Sequence, residues 1–161
     1  MSTQTEIAPR DPTVVMTRIY DAPRALVWAA VTDPNHVKEW WGGPGTTNPV
    51  CEMDVRPGGA WKHVMRFPNG MEIVMNFVFV EVAPPHRLVW QHADHGQRTS
   101  GPPTSVTTIT LDEVGQKTRF TMLARWNSLA EREAALAMGY TRPIEASQER
   151  LVDYLQTMAR S

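Results

Sequence analysis

A run of β-strand segments separated by short turns constrains the fold of this chain more than any other feature. Pro57-Gly58-Gly59, Pro68-Asn69-Gly70 and Val114-Gly115 are turn sequences, because Asn and Gly accept positive φ at little cost. Pro84-Pro85 interrupts a further strand. Strands joined by such short turns must pair in antiparallel fashion. The six predicted strands are residues 49–55, 60–67, 72–82, 86–92, 104–111 and 118–126.

Helical patterns flank this run on both sides. A strand at residues 13–20 leads into two short helices, 24–31 and 34–41, which have Pro23 and Pro34 at their starts. A short helix at 129–138 and a long one at 143–158 follow the strands. The long helix has Ile144, Ser147, Leu151, Tyr154 and Leu155 on one side, and Glu145, Gln148, Glu149 and Asp153 mostly elsewhere. We predict an α+β helix-grip fold (β-α-α-β6-α), a curved antiparallel sheet wrapped around the long C-terminal helix.

Length and composition limit the class of protein. The 161 residues suit one core, so we expect a flexible leader at residues 1–12 and a single domain at 13–161. The net charge of −1, with no basic stripe, argues against nucleic-acid binding. The single cysteine excludes an internal disulfide. The sequence contains no run of about eighteen apolar residues, so we predict no membrane span. Since residues 1–12 are also too polar for a signal peptide, we expect a cytoplasmic protein.

Strand alternation places many aromatic and flexible side chains on one face of the predicted sheet. A strongly twisted sheet cannot pack flat along a whole helix, so we expect a pocket at one end; the alternative is a fully filled core. Met and Trp, nine and six in number, suit an adaptable cavity. The predicted pocket residues are Trp40, Trp41, Met53, Trp61, His63, Met65, Met75, Phe77, Phe79, Trp90, His92, Ile109, Phe120, Met122, Ile144, Ser147 and Leu151.

Several blocks in a fixed order carry a resemblance to a known family. The blocks are RIYDAP at 18–23, WWG at 40–42, CEMDVRPGG at 51–59, RLVW at 87–90 and TRFTM at 118–122. The chain resembles the SRPBCC (START-like) superfamily and, more narrowly, proteins similar to the activator of Hsp90 ATPase, over residues 13–158. The resemblance implies a helix-grip domain with a hydrophobic cavity, but no single activity. It departs at residues 140–144, where Pro143 is expected to stiffen the start of the long helix.

Two histidines are the candidates for acid–base chemistry. His63 and His92 share strand faces with tryptophans, and histidine titrates near neutral pH. The alternative is that each is a structural histidine of the core or the surface. Tyr140 and Tyr154 have hydroxyl groups near the predicted pocket end, without an evident partner. Ser147 lacks the surroundings of an activated nucleophile. No metal or cofactor motif is present, and the polar loop at 92–103 lacks the spacing of a zinc site.

Three functions remain open at this point. The first is binding of a hydrophobic small molecule (a lipid, a polyketide-like or an aromatic compound) without a catalytic step. The second is a cyclase-like or lyase-like enzyme that uses a cavity histidine. The third, suggested by the family resemblance, is a chaperone partner, and a homodimer is also plausible. The loop Gly42-Gly43-Pro44-Gly45 is either a lid or a simple connection.

Overall fold

The structure is a computed structural model that describes residues 3–94 and 103–160. Its strands are β1 (Gln4–Ile7), β2 (Thr13–Tyr20), β3 (Thr47–Met53), β4 (Ala60–Arg66), β5 (Glu72–Ala83), β6 (Arg87–His92), β7 (Val106–Val114) and β8 (Lys117–Arg125). Its helices are α1 (Arg24–Thr32), α2 (Pro34–Trp40), α3 (Leu129–Ala137) and α4 (Thr141–Arg160). The predicted α+β helix-grip class is confirmed. Residues 95–102 of the predicted loop lie outside the described residues.

The strands form one sheet in the order β1-β2-β8-β7-β6-β5-β4-β3, and every neighbouring pair is antiparallel. From β3 to β8 the order follows the chain, because each strand turns back directly onto its predecessor. Strand β2 pairs with β8 along its whole length, from Thr13↔Arg125 to Tyr20↔Thr118. The first and last strands of the predicted domain therefore lie side by side.

Two turns show why glycine occupies them. A Cβ added to Gly59 would lie 1.9 Å from the carbonyl oxygen of Asp54, so this turn between β3 and β4 has no room for a side chain. Gly115 has φ +64° in the loop that joins β7 to β8. In the same β3–β4 turn, Asp54 and Arg56 form an exposed ion pair at 2.8 Å.

The N-terminal segment differs from the expectation of a flexible leader at residues 1–12. Residues Gln4–Ile7 form β1, an exposed edge strand paired with β2. The chain between them is held by the buried Arg132 of α3, whose guanidinium donates to the carbonyl oxygens of Ala8, Asp11 and Thr13. This anchor lies more than a hundred residues away in sequence, so a local pattern does not reveal it.

Helix α4 lies against the sheet through one apolar stripe. Leu151 and Leu155 are buried in the main core with Trp61, Phe79 and Leu88 of the sheet. Burial of each leucine contributes about 2 kcal/mol through its apolar surface. Helices α1 and α2 complete this core through residues such as Val27, Ala30 and Val37. The remaining space between α4 and the sheet forms the cavity described below.

Helix α4 begins at Thr141, two residues before the predicted start at 143. Pro143 lies inside its first turn, where a missing N–H leaves no intrahelical bond unmade. Gln148 was predicted to lie away from the inner side, but it is 97% buried, with 3% of its surface exposed. It follows Ile144 by four residues and precedes Leu151 by three, so helical geometry places it on the inner stripe despite its polarity.

Candidate functional site

A cavity of about 470 Å³ lies between the sheet and the first half of α4. Part of its wall comes from Val31 of α1 and Val37 of α2. At the start of β7 it is lined by Ser105 and by Tyr140, which lies between α3 and α4. Most of the lining is apolar. The volume falls within the range of about 300–1,000 Å³ typical of small-molecule pockets.

The structure brings most of the predicted pocket residues together around this cavity. Strand parity explains the agreement, since side chains two residues apart on β4, β5, β6 and β7 face the same side. Whether these residues bind a ligand remains a prediction. Those that line the cavity are Trp40, Trp41, Trp61, Met65, Met75, Phe77, Trp90, His92, Ile109, Phe120, Met122, Ile144 and Ser147.

Four predicted pocket residues, Met53, His63, Phe79 and Leu151, do not line the cavity. Phe79 and Leu151 fill the part of the interior where the sheet and α4 meet closely, and Phe79 stacks on Trp61 with ring centroids 5.8 Å apart. Met53 is partly buried against the same core. Sharing a strand face with cavity residues therefore does not decide whether a side chain reaches the free space or the packed core.

His63 is held in a buried hydrogen-bond chain. The indole N–H of Trp61 donates to His63 Nδ1 at 3.1 Å, so the proton of the neutral ring resides on Nε2 and is donated to Asn48 Oδ1 at 2.7 Å. The Asn48 amide in turn donates to the carbonyl oxygens of Lys38 and Trp41. Burial lowers the pKa of His63 to about 4. Both ring nitrogens are occupied, so His63 connects the sheet to the end of α2 through Asn48.

The glycine loop beside the cavity is fastened to α4. Arg150 donates to the carbonyl oxygens of Glu39, Trp41, Gly42 and Gly43 and, at 2.8 Å, to the hydroxyl of Thr46. The amide of Gly42 donates to Ser147 Oγ at 2.8 Å. These bonds favour the interpretation of the loop as a fixed wall over that of a lid. The same bonds give Ser147 a structural role, because its hydroxyl accepts from the amide of Gly42 in the loop.

The polar side chains of the cavity lie mainly around the start of β7. Burial raises the pKa of Tyr140 to about 12, although hydrogen bonds with the side chains of Ser105 and Thr107 oppose this shift. The Tyr140 ring packs edge-to-face on Trp126, with centroids 4.9 Å apart. His92 lines the cavity at the end of β6, with its ring 4.8 Å from that of Phe77. Of the two candidate histidines, His92 therefore faces the free space.

Sequence reasoning missed part of the lining. Residues in loops and at helix ends have no strand parity or helical period to place them, as with Pro103, Gly139 and Tyr140. For Thr107 a sequence signal did exist: strand alternation puts it on the same face of β7 as Ile109, which was a predicted pocket residue. Tyr154, the other tyrosine considered near the pocket, lies outside the cavity lining and hydrogen-bonds with His36 through its hydroxyl.

The described part of the chain offers neither a metal cluster nor a membrane helix. Among residues 3–94 and 103–160, no three His, Cys, Asp or Glu side chains come together as metal ligands. Within the same residues, no helix is both long and apolar enough to cross a bilayer.

The fold and cavity define a helix-grip domain, and comparison with known proteins places it in a family. The family model described as Activator of Hsp90 ATPase homolog 1-like protein matches residues 21–156, so the chain belongs to this family. A search of curated proteins gives no significant match.

Solved structures show the same fold. A protein from Nitrosomonas europaea has 25% sequence identity and a TM-score of 0.83, with 96% of this chain and 100% of that chain covered. A protein from Mycobacterium smegmatis has 23% identity and a TM-score of 0.83, covering 97% and 98%. A Silicibacter pomeroyi protein described as AHSA1 has 19% identity and a TM-score of 0.69, covering 91% and 99%.

Proposed function

We propose that this protein binds a hydrophobic small molecule in the cavity between the sheet and α4, without a catalytic step. The observation that carries the proposal is the cavity itself, about 470 Å³ of space with a mostly apolar, aromatic-rich lining. Transfer of one ligand methylene from water to such a site contributes roughly 0.8 kcal/mol, so a ligand of about ten carbons would bind usefully.

The chemistry around the cavity supports binding over catalysis. The alternative enzyme needs a histidine at the cavity, and His63 has both ring nitrogens engaged outside it. Of the two candidate histidines only His92 lines the free space, and the described residues of the lining include no Asp, Glu, Lys or Arg.

The test is a variant that fills the cavity. Ile144 lies on the cavity side of α4, so Ile144→Trp should place an indole where a ligand would bind. Thr157→Trp makes a matched change on the exposed side of the same helix. We expect the neutral fluorescent probe N-phenyl-1-naphthylamine to bind the wild type and Thr157→Trp alike, and to bind Ile144→Trp at least tenfold more weakly. Equal binding to all three proteins, or no binding to the wild type, would contradict the proposal.

A further inference from the structure

We propose that the ligand is a neutral aromatic molecule with an oxygen atom at one end, and that the hydroxyl groups of Tyr140, Ser105 and Thr107 form the subsite that recognises this oxygen. The inference rests on the proposed function and adds the chemical class of the ligand and its orientation in the cavity.

The cavity has two chemically different ends. Its lining near α1 and α2 includes Val31, Val37 and Trp40, which are apolar or largely so. At the start of β7, the hydroxyl groups of Ser105 and Thr107 meet that of Tyr140. Val31, Val37 and Trp40 belong to the main core cluster and Tyr140 packs against a second one, so a guest that spans the cavity would have one end among apolar groups and the other among hydroxyls.

Packing fixes the position of this hydroxyl group cluster. The Tyr140 ring lies edge-on against Trp126, with centroids 4.9 Å apart, and the Trp126 indole donates to the carbonyl oxygen of Pro103 at 3.3 Å. Thr107 is held in the sheet opposite Trp90. A preorganised cluster loses little conformational freedom when a ligand binds, so its hydrogen bonds contribute to selectivity.

The part of the lining that the described residues form favours a neutral ligand. Among the described residues that line the cavity, none is Asp, Glu, Lys or Arg. An ionised ligand would lose its hydration here without an opposite charge, which is a large cost. A hydroxyl group can both donate to and accept from a neutral oxygen, so a phenol or a ketone fits the cluster. The raised pKa of Tyr140 agrees with this, since it keeps that hydroxyl protonated at neutral pH.

The middle of the cavity favours an aromatic body of limited size. Trp61 lies edge-to-face with Trp41 and with Trp90, both at 5.2 Å between centroids, and an aromatic guest can extend this arrangement. The volume of about 470 Å³ lies in the lower half of the range of about 300–1,000 Å³ typical of small-molecule pockets, which limits the size of the ligand. Two or three fused rings with one oxygen meet this limit.

The experiment compares three ligands that share a naphthalene ring, namely 2-naphthol, 2-methylnaphthalene and 2-naphthoate. Each displaces N-phenyl-1-naphthylamine from the wild type, Tyr140→Phe and Tyr154→Phe. Tyr154→Phe is the matched control, because it removes a hydroxyl that lies outside the cavity lining. We expect Tyr140→Phe to weaken 2-naphthol relative to 2-methylnaphthalene by about threefold to tenfold, the effect of one lost hydrogen bond. Tyr154→Phe should leave this ratio unchanged, and 2-naphthoate should bind more weakly than 2-naphthol.

The outcomes separate the two proposals. If the fluorescent probe binds but Tyr140→Phe and Tyr154→Phe give the same ratio as the wild type, the hydroxyl subsite is wrong while the binding cavity stands. If the probe itself does not bind the wild type, the proposed function fails. Ser105→Ala provides a second variant should Tyr140→Phe unfold, and it should shift the ratio in the same direction as Tyr140→Phe. Binding of 2-naphthoate as tight as that of 2-naphthol would overturn the neutral class.

Discussion

The buried His63 should make the stability of the protein fall as the pH is lowered below 7. Its pKa is about 4 in the folded chain and 6.5 in a model peptide, because burial disfavours the charged ring. Between these two values the unfolded chain binds a proton that the folded chain does not. Since the unfolded state then binds more protons, stability rises with pH across this window and is lost as the pH falls through it.

The size of this effect follows from the two pKa values. Between pH 7 and pH 5, protonation of the unfolded imidazole should remove about 2 kcal/mol of the free energy of unfolding through this one residue. The full effect, reached near pH 4 and below, is about 3 kcal/mol. Both figures apply because the side chain has 0% of its surface exposed, so solvent does not screen it.

The assay is urea denaturation at pH 7 and pH 5 for the wild type, His63→Gln and His86→Gln. His63→Gln removes the titrating ring, so its stability should change between the two pH values by about 2 kcal/mol less than that of the wild type. Other titrating groups are the same in both proteins and cancel in this difference. His86→Gln makes the same replacement at an exposed side chain and should follow the wild type. If His63→Gln and the wild type lose equal stability between pH 7 and pH 5, the reasoning about the buried neutral ring is refuted.

Two further predictions concern the loop and the turn that shape the site. Arg150→Met should lower the free energy of unfolding by about 2–4 kcal/mol, because partly buried carbonyl groups after the end of α2 lose their donor. Arg142→Met, on the exposed side of α4, is the control and should change it by less than about 0.5 kcal/mol. Thermal and urea unfolding check both, and equal stability of the two variants would show that the loop does not depend on Arg150. Gly59→Ala should lower the free energy of unfolding more than Gly58→Ala, because its new Cβ would lie 1.9 Å from the Asp54 carbonyl oxygen. A Cβ at Gly58 meets open space, so Gly58→Ala should lower it only by about 1–2 kcal/mol, the cost of a side chain at a φ of +82°. The reverse ranking in denaturation curves would disprove this steric argument.

Sequence patterns predicted the fold in detail because the strands carry clear alternation and explicit turn residues. The six strands after α2 follow from Pro57-Gly58-Gly59, Asn69-Gly70 and similar turns, and the order of the sheet follows from the short connections. The amphipathic period of α4 located its inner stripe, except at Gln148. Strand β1 was missed because its residues are all exposed and so show no alternation, and because Arg132, which holds the segment that follows β1, lies in distant α3.

The site was harder to predict than the fold, for reasons that particular residues show. Alternation identifies which face a strand residue occupies, but not how far the opposing helix lies from it, so Phe79 and Trp61 seemed equivalent although only Trp61 reaches the cavity. His63 looked like a catalytic candidate because its partner Asn48 lies on another strand, where spacing in sequence reveals nothing. The sequence identified Tyr140 only as a hydroxyl near one end of the predicted pocket. Its hydrogen bonds with Ser105 and Thr107 join residues more than thirty positions apart, which only the folded chain brings together.

The most direct test of the account is a crystal structure of the protein saturated with 2-naphthol. The account predicts electron density for one naphthol per chain between the sheet and α4, with its rings near Trp61 and Phe77 and its oxygen toward Tyr140. An empty cavity under saturating ligand, or naphthol bound only on the outer surface, would contradict the claim that this cavity is the binding site.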